Sequence, residues 1–211
     1  MSDVRGEIEP PSSSLELRHA STERPLIVVV PDRRMLVIGG AGHRHAADFR
    51  LATTVLRTVD DQLRADLRRI GVIVPKAISE IAWQIPAGWS TSEISQAFGE
   101  PTRWQWRQMV EVPKSAPDGA AEAAIDAVRR AGGRDVPLVR VIDYAEGRAA
   151  QILHRADENE SGSVAKLYRF LDESDLRPTG DLHQLVLADP DLVPTGRARS
   201  IFRVPVGVTP A

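Results

Sequence analysis

Tryptophans and carboxylates that lie close together on predicted strands are the residues in this sequence best suited to chemistry. Trp104 and Trp106 are two residues apart in "RWQW", so on a strand their side chains share one face. Glu111 follows on the same predicted strand, and Glu80 precedes Trp83 by three residues in "SEIAWQI". Aromatic faces beside carboxylates form a box that binds flat or cationic organic molecules. Tryptophans on strands are also common core residues, so the pattern leaves a binding site and a core both open.

A second group of polar residues lies in the last third of the chain. His154 ends the predicted strand "GRAAQILH", and the acidic segment that follows it includes Glu160. A solvated loop before a helix N-terminus, which favours negative charge, would explain these acids without a ligand. Gln184 and Val186 share one face of "GDLHQLVLADP", a predicted buried strand. A glutamine there needs a partner in the core, a ligand, or a former role in chemistry.

The sequence lacks the motifs of metal, nucleotide and serine-nucleophile sites. His43, His45 and Asp48 are close together, but no second pair of ligands at metal-binding spacing accompanies them, which favours a solvated loop. "GGAG" before a helix is neither a dinucleotide fingerprint nor a phosphate loop. No G-x-S-x-G nucleophile turn occurs. We therefore expect no metal and no cofactor.

Composition narrows the partners and the compartment. The 27 basic and 29 acidic residues are interspersed, whereas a nucleic-acid-binding domain carries a basic stripe, so we expect no nucleic-acid partner. No apolar run is long enough to span a membrane, and the acidic, polar N-terminus does not look like a signal peptide. Without cysteine, disulfides and thiolate metal sites are impossible. We expect a cytoplasmic protein that does not contact membranes.

The elements that would position these residues occur twice in the same order. A hairpin in "PLIVVVPDRRMLVIGGAG" precedes a helix over 46–70 and the strands "PKAISEIAWQI" and "RWQWRQMVEVP", which a polar connection over 86–102 joins. After a short helix in "DGAAEAAIDAVRRAGG", a hairpin turning at Glu146 and Gly147 precedes the helix "SGSVAKLYRFLDESD" and the strands "DLHQLVLAD" and "RSIFRVPV". The repetition predicts an α+β fold with a duplicated βαββ-type repeat, two pseudo-twofold-related halves, antiparallel sheets and a ligand cleft at the seam.

Domain boundaries follow from the same pattern. Residues 1–24 are rich in Ser, Pro and Glu and predict a flexible N-terminal arm. We expect one domain over 25–206, with halves at about 25–115 and 135–206, and a short tail over 207–211.

These segments also carry the motifs of a known family. "GRAAQILHRADENESGSVAKLYRFLDESDLRPTGDLHQLVLADP" followed by "RSIFRVPV" resembles the GyrI-like small-molecule-binding family, with its E-G-x-x-A-Q-I-x-H, K-L-H-x-F-I-E-E-N-G and G-x-H-H-E-I-Y-L-S-D-P motifs and closing R-x-P-V. "ISEIAWQI" and "RWQWRQMVEVP" resemble its L-E-G-L-W-W and K-W-x-W strands. The resemblance covers roughly residues 25 to 206. It implies a duplicated fold with a cleft, as in effector domains of multidrug-sensing regulators and in stand-alone proteins. Some stand-alone members hydrolyse the cyclopropane of DNA-alkylating natural products.

The resemblance also implies site residues. Trp83 and Trp104 fall where the family lines its cleft with aromatics, and Glu80 matches the acid of the L-E-G strand. His154 matches the histidine that ends the A-Q-I-x-H strand. Glu160 aligns with one of the two working glutamates of the hydrolytic members, and so becomes the candidate catalytic residue.

The second working glutamate is absent. The family's H-E-I-Y motif reads His183-Gln184-Leu185-Val186, so an amide replaces the acid and a valine replaces the tyrosine. The "G-P-Y" of the preceding loop is missing as well. A glutamine has nearly the size of a glutamate and can form hydrogen bonds, but its amide cannot act as a base. We therefore expect hydrolysis to be lost or reduced, and a ligand that is neutral or less basic than those the family usually binds.

Two functions lead, and a third, inhibition of a protein partner such as a topoisomerase, is suggested by the family name alone and leaves the protein partner unknown. The first is a stand-alone protein that binds an amphipathic or aromatic small molecule for sequestration or self-resistance, in a cleft whose expected ligand-binding residues are Glu80, Trp83, Trp104, Trp106, Glu111, His154, Gln184 and Val186. The second is an enzyme in the same cleft, either a hydrolase of cyclopropane-type alkylators using Glu160 or a cyclase or isomerase in natural-product biosynthesis. A transcription regulator is disfavoured because 24 residues are too few for a helix-turn-helix domain.

Overall fold

The structure is a computed structural model that describes residues 22–86, 89–99, 104–132, 136–155, 158–188 and 199–208. Most of the expected N-terminal arm and the end of the expected tail lie outside these residues. These ranges contain nine strands: β1 Leu26–Val30, β2 Arg33–Ala41, β3 Ser79–Trp83, β4 Gln105–Glu111, β5 Arg140–Tyr144, β6 Gly147–Arg155, β7 Leu176–Pro178, β8 Leu182–Ala188 and β9 Arg199–Val208. The helices are α1 Ala47–Arg69, α2 Thr91–Gly99, α3 Ala120–Gly132 and α4 Glu160–Glu173.

Eight strands form one antiparallel sheet in the order β1-β6-β9-β8-β3-β4-β2-β5, and the short β7 pairs with β9. The two repeats meet at the pairing of β3 with β8, where Ile81 lies opposite Gln184. The predicted α+β fold with two related antiparallel halves is therefore confirmed. β9 runs to Val208, so the first two residues of the expected tail belong to this strand.

The prediction of two hairpins is wrong. β1 pairs with β6 and β2 pairs with β4 and β5, so the first strand of each repeat joins the sheet of the other half. Only residues 31–32 connect β1 to β2, and three peptide units span about 10 Å at most. In a flat sheet these strands would be six spacings apart, about 29 Å. The sheet must therefore curl until its two ends approach each other.

The main helices cover one face of the curled sheet. α1 packs on β2 and β4, and α4 packs on β6 and β9. α1 has 23 residues, which confirms the predicted long helix. Its apolar residues recur at helical spacing, and Leu56, Val59, Leu63 and Leu67 enter a core that also includes residues of the second half. None of the helices within the described ranges is long and apolar enough to cross a membrane.

The polar connection expected over 86–102 contains a helix instead. Ser90 precedes α2, and its backbone N–H donates to Glu93 Oε2 at 2.8 Å while the Glu93 N–H donates back to Ser90 Oγ at 3.3 Å. This reciprocal pair is a capping box, which satisfies two backbone donors at a helix start. The apolar Ile94 is buried below it, and Thr91 Oγ1 donates to Asp172 of α4 at 2.9 Å. The helix has only nine residues, about two and a half turns, which is short for a helical pattern to be recognised in the sequence.

Candidate ligand-binding cleft

A cavity of about 650 Å³ opens on the helix-bearing face of the sheet, at the seam between the halves. We call this cavity the cleft. One helical face of α1, the first residue of α4 and the middle of the sheet line it. Its apolar lining comes from Phe49, Leu56, Ile81, Val110 and Val186. A volume of this size is typical of small-molecule sites.

Gln184 lies in the cleft wall between Trp83 and Glu160. Its Nε2 donates to Glu160 Oε1 at 2.9 Å, and its Oε1 accepts from Trp83 Nε1 at 3.3 Å. The indole N–H can only donate and an ionised carboxylate can only accept, so the two neighbours fix which way the amide faces. The polar atoms of Gln184 are thus satisfied within the protein, although its side chain still lines the cleft.

Arg44, which sequence reasoning missed, neutralises Glu160. Its Nη2 lies 3.0 Å from Glu160 Oε2, and its guanidinium carbon lies 5.5 Å from the centre of the Trp83 ring. An arginine over a tryptophan face gains cation–π attraction. An aromatic ring and a carboxylate thus come together here, but they are Trp83 and Glu160, not the tryptophan pair with Glu80 and Glu111 that the sequence suggested, and a cation of the protein itself contacts both.

His154 also borders the cleft, beside the start of α4. Its Nδ1 lies 3.0 Å from Ser163 Oγ, and that hydroxyl donates to Glu158 Oε2 at 3.1 Å. Because a hydroxyl has one proton, His154 donates to it from Nδ1. Lys166 Nζ lies 3.4 Å from Glu158 Oε1, so this carboxylate already has a cationic partner.

The tryptophans lie behind the cleft rather than on its surface. Trp83 and Trp106 are buried, and Phe49 separates both from the cavity that it lines. The Phe49 ring stacks on Trp83 with centroids 5.9 Å apart and meets Trp106 edge-on at 4.9 Å. Trp104 is also buried and meets Trp83 edge-on at 6.1 Å. This aromatic group holds Phe49 in position, and none of its three tryptophans is a lining residue of the cleft.

Glu80 borders the cleft through its strand, but its carboxylate lies on the opposite face of the sheet. Arg33 Nη1 donates to Glu80 Oε2 at 2.7 Å, His183 Nδ1 lies 2.6 Å from Oε1, and Arg203 also reaches this carboxylate. Burial alone would raise the pKa of Glu80, but the two guanidinium groups and His183 hold that pKa well below its ordinary range. Sequence reasoning expected a ligand contact here, and the side chain belongs instead to a buried ion-pair network.

The same network includes Glu146 and His183, which with Glu80 resemble the ligands of a metal site. Glu80, Glu146 and His183 bring their ligand atoms within 4.8 Å of one another, the spacing of a metal site. The guanidinium groups of Arg33 and Arg203 already bond to both carboxylates, so they supply the positive charge that a metal would bring. Glu111, also expected at the cleft, lies on this opposite face at one end of β4, away from the cleft.

Three further arginines, which the sequence did not single out, line the cleft. Arg50 and Arg57 lie seven residues apart on α1, so both reach the same helical face, together with Thr53 and Thr54. Arg199 begins β9 on another side of the cavity. The spacing R-x-x-T-T-x-x-R along a helix was the available signal. The position of Arg199 could not be inferred, because it depends on how β9 pairs with β8.

Comparison with solved structures places the fold among known ones. An uncharacterized conserved protein from Listeria innocua superposes with a TM-score of 0.74 at 20% identity, over 91% of this chain and 96% of that chain. A hydrolase from Listeria innocua superposes with a TM-score of 0.72 at 20% identity, over 92% of this chain and 96% of that chain. The EcmrR C-terminal domain superposes with a TM-score of 0.54 at 7% identity, over 88% of this chain and 98% of that domain. At these identities the likeness shows the fold alone. No protein-family model and no curated protein matches the sequence.

Proposed function

We propose that this chain is a GyrI-like protein that binds an amphipathic small molecule in the cleft. The observation that carries the proposal is the cavity of about 650 Å³ at the seam of the two halves, with an apolar lining and a few fixed polar groups. Apolar walls with a small number of convergent polar groups are what small-molecule sites share. The shared fold with the EcmrR C-terminal domain and the motif resemblance support the same family.

The lining suggests a role for each residue. Phe49, Ile81 and Val186 would contact the apolar part of the ligand, while Gln184 and His154 orient its polar part. The tryptophans would act indirectly, since Trp83 and Trp106 hold Phe49 in place. A rigid second layer of this kind keeps a site ready for its ligand and reduces the entropy lost on binding.

Binding of 1-pyrenebutanol, a neutral fluorescent amphiphile, tests the proposal. We expect its fluorescence anisotropy to rise on titration with the protein, with about one molecule bound per chain. Val186→Trp fills the cleft and should abolish most of the signal. Val29→Trp is the control, because Val29 is on the sheet edge and 46% exposed. Equal binding by both variants would contradict the placement of the ligand.

A hydrolase in the same cleft is the second candidate, because the Glu160 carboxylate both lines the cavity and remains 31% exposed. It would take a proton from water as the water oxygen bonds to a carbon of a cyclopropane ring. The ring carbon–carbon bond would break, and its electron pair would pass to a conjugated carbonyl that is then protonated. Two fold neighbours from Listeria innocua are described as hydrolases, which fits this candidate. Product formation by chromatography, compared between wild type and Glu160→Gln, tests it.

A further inference from the structure

The charges around the cleft do not match a cationic ligand. Of its carboxylates, Glu160 is paired with Arg44, Glu158 is near Lys166, and Glu80 is bonded to Arg33 on the other face. Each acid that might attract an organic cation therefore already has a cationic partner. A ligand cation would have to displace one of these partners from its carboxylate, at the cost of the existing pair.

The best position for a cation is also filled. Arg44 lies over the Trp83 ring and bonds to Glu160, so it takes both the aromatic face and the carboxylate of the box. Gln184, the remaining polar group beside them, is uncharged and donates its N–H to Glu160. Among the residues that the structure describes, none in this part of the cleft offers a net negative charge to a ligand.

Positively charged side chains outnumber carboxylates in the lining of the cleft. Arg50, Arg57 and Arg199 line the cleft in addition to Arg44. In the part of the chain that the structure describes, neither Arg50 nor Arg199 forms an ion pair. They lie on α1 and β9, and so approach the cavity from two different elements. A guanidinium group presents a planar set of donors that matches a carboxylate in a bidentate way.

We infer that the cleft selects an amphipathic organic anion, such as an aromatic carboxylic acid, over a neutral or cationic compound of the same shape. The inference rests on the proposed binding function and specifies its ligand class. The apolar part of the ligand contacts Phe49 and Ile81, and its anionic group lies toward Arg50 and Arg199. Coulomb attraction at about 6 Å in a partly hydrated site makes each arginine worth roughly a three- to tenfold change in affinity.

Three pyrene derivatives with one ring system separate these possibilities: 1-pyrenebutyrate, 1-pyrenebutanol and 1-pyrenebutylammonium. We expect the anion to bind at least about tenfold more tightly than the cation at low salt. The ratio should fall in 0.5 M salt, because exposed charges are then screened over a few ångströms. Equal affinities, or tighter binding of the cation, would overturn anion selectivity while leaving the binding function intact. If none of the three compounds binds, both proposals fail.

Two variants locate the effect. Arg50→Gln combined with Arg199→Gln should lower the affinity for 1-pyrenebutyrate about tenfold or more and leave that for 1-pyrenebutanol nearly unchanged. Arg68→Gln is the matched control, since Arg68 is exposed near the end of α1 and does not line the cleft. The loss of affinity for 1-pyrenebutyrate is compared per positive charge removed. If Arg68→Gln lowers this affinity as much as the double variant does, the effect comes from overall charge and the assignment to Arg50 and Arg199 is wrong.

Discussion

The side-chain amide of Gln184 connects Glu160 to Trp83, donating to the carboxylate at 2.9 Å and accepting from the indole at 3.3 Å. Gln184, which stands where the motif resemblance would place a second acid, thus stabilises Glu160, because an amide can donate where a carboxylate can only accept.

Gln184→Glu should shift the ligand preference of the cleft towards cations. A glutamate would still accept from Trp83, but it would place a second carboxylate against Glu160. Two carboxylates at this distance oppose each other's ionisation, so the pair keeps one proton up to a raised pH, and the added negative charge is present only above that pH. At pH 8 we expect 1-pyrenebutylammonium to bind about three- to tenfold more tightly than to wild type. Gln184→Met, which keeps the size without a charge, should show no such gain.

A gain of hydrolysis requires more than this single change. Val186 stands where the family has a tyrosine, so we expect measurable product from a cyclopropane-bearing alkylator first in Gln184→Glu combined with Val186→Tyr. Chromatography of the products compares wild type, the single variant and the double variant. Rapid turnover by wild type that persists in Glu160→Gln would show that the reaction does not depend on this carboxylate.

Gly40 of β2 lies against the Trp106 ring, which gives a sharp packing test. A Cβ at Gly40 would lie 2.4 Å from two ring atoms, and the buried ring cannot move because Phe49 packs against it edge-on. Gly40→Ala should lower the free energy of unfolding by about 1–3 kcal/mol, measured by urea denaturation. Gly39→Ala is the control: its Cβ would have no neighbour nearer than 3.7 Å. We expect the control to change stability by at most about 0.5 kcal/mol.

Glu80 should control the acid stability of the fold. A carboxyl whose pKa is depressed in the folded state stabilises the fold above its unfolded pKa, about 4.3, and loses this contribution as the pH falls through the folded pKa. Glu80→Gln leaves Arg33 and Arg203 incompletely paired, so it should cost about 3–5 kcal/mol at pH 7. The difference from wild type should shrink towards pH 2, as followed by urea unfolding across pH.

An exposed ion pair provides the control for that experiment. Glu122 pairs with Arg34 at 2.8 Å, but both side chains are more than 40% exposed. Glu122→Gln should therefore change stability by less than about 1 kcal/mol at any pH. A loss at Glu80 no larger than the loss at Glu122 would mean that the buried network contributes little to stability.

Ser90→Ala should loosen α2 without unfolding the protein. The substitution removes the hydroxyl that accepts from the Glu93 N–H and donates to the Glu93 carboxylate, which typically costs about 1 kcal/mol. Because α2 packs on α4, we expect faster amide exchange in residues 91–99 and unchanged protection in α1. Ser92→Ala, within the same first turn but outside the box, should leave exchange unchanged.

The hypothesis of an aromatic box with Glu80 and Glu111 overlooked the strand alternation in the sequence. Glu80 and Trp83 are three residues apart, and Trp106 and Glu111 are five apart, so each pair points to opposite faces of its strand. Period two alone therefore separates both acids from the tryptophan face. The same rule places Gln184 and Val186 together on the cleft side, as the structure has them.

Other features depend on contacts that no local pattern records. The order and type of most elements follow from periodicity and turns, which is why α1 was predicted over nearly its whole length. Strand partners are different, because the pattern of β1 would be the same beside β2 or beside β6. The place of Arg44 over Trp83 likewise depends on the loop that leads into α1, a loop with no sequence signature.

The exchange of first strands makes the two repeats inseparable. A chain cut between α3 and β5 would give two pieces, and each would carry an edge strand that the other needs: β1 for β6, and β5 for β2. Either piece alone would expose unpaired backbone along its sheet, which favours aggregation. Mixed together, the pieces could complete each other, as two copies of a single ancestral repeat would in a strand-swapped dimer. The cleft therefore exists only when both repeats are present, because its seam lies at the pairing of β3 from one repeat with β8 from the other.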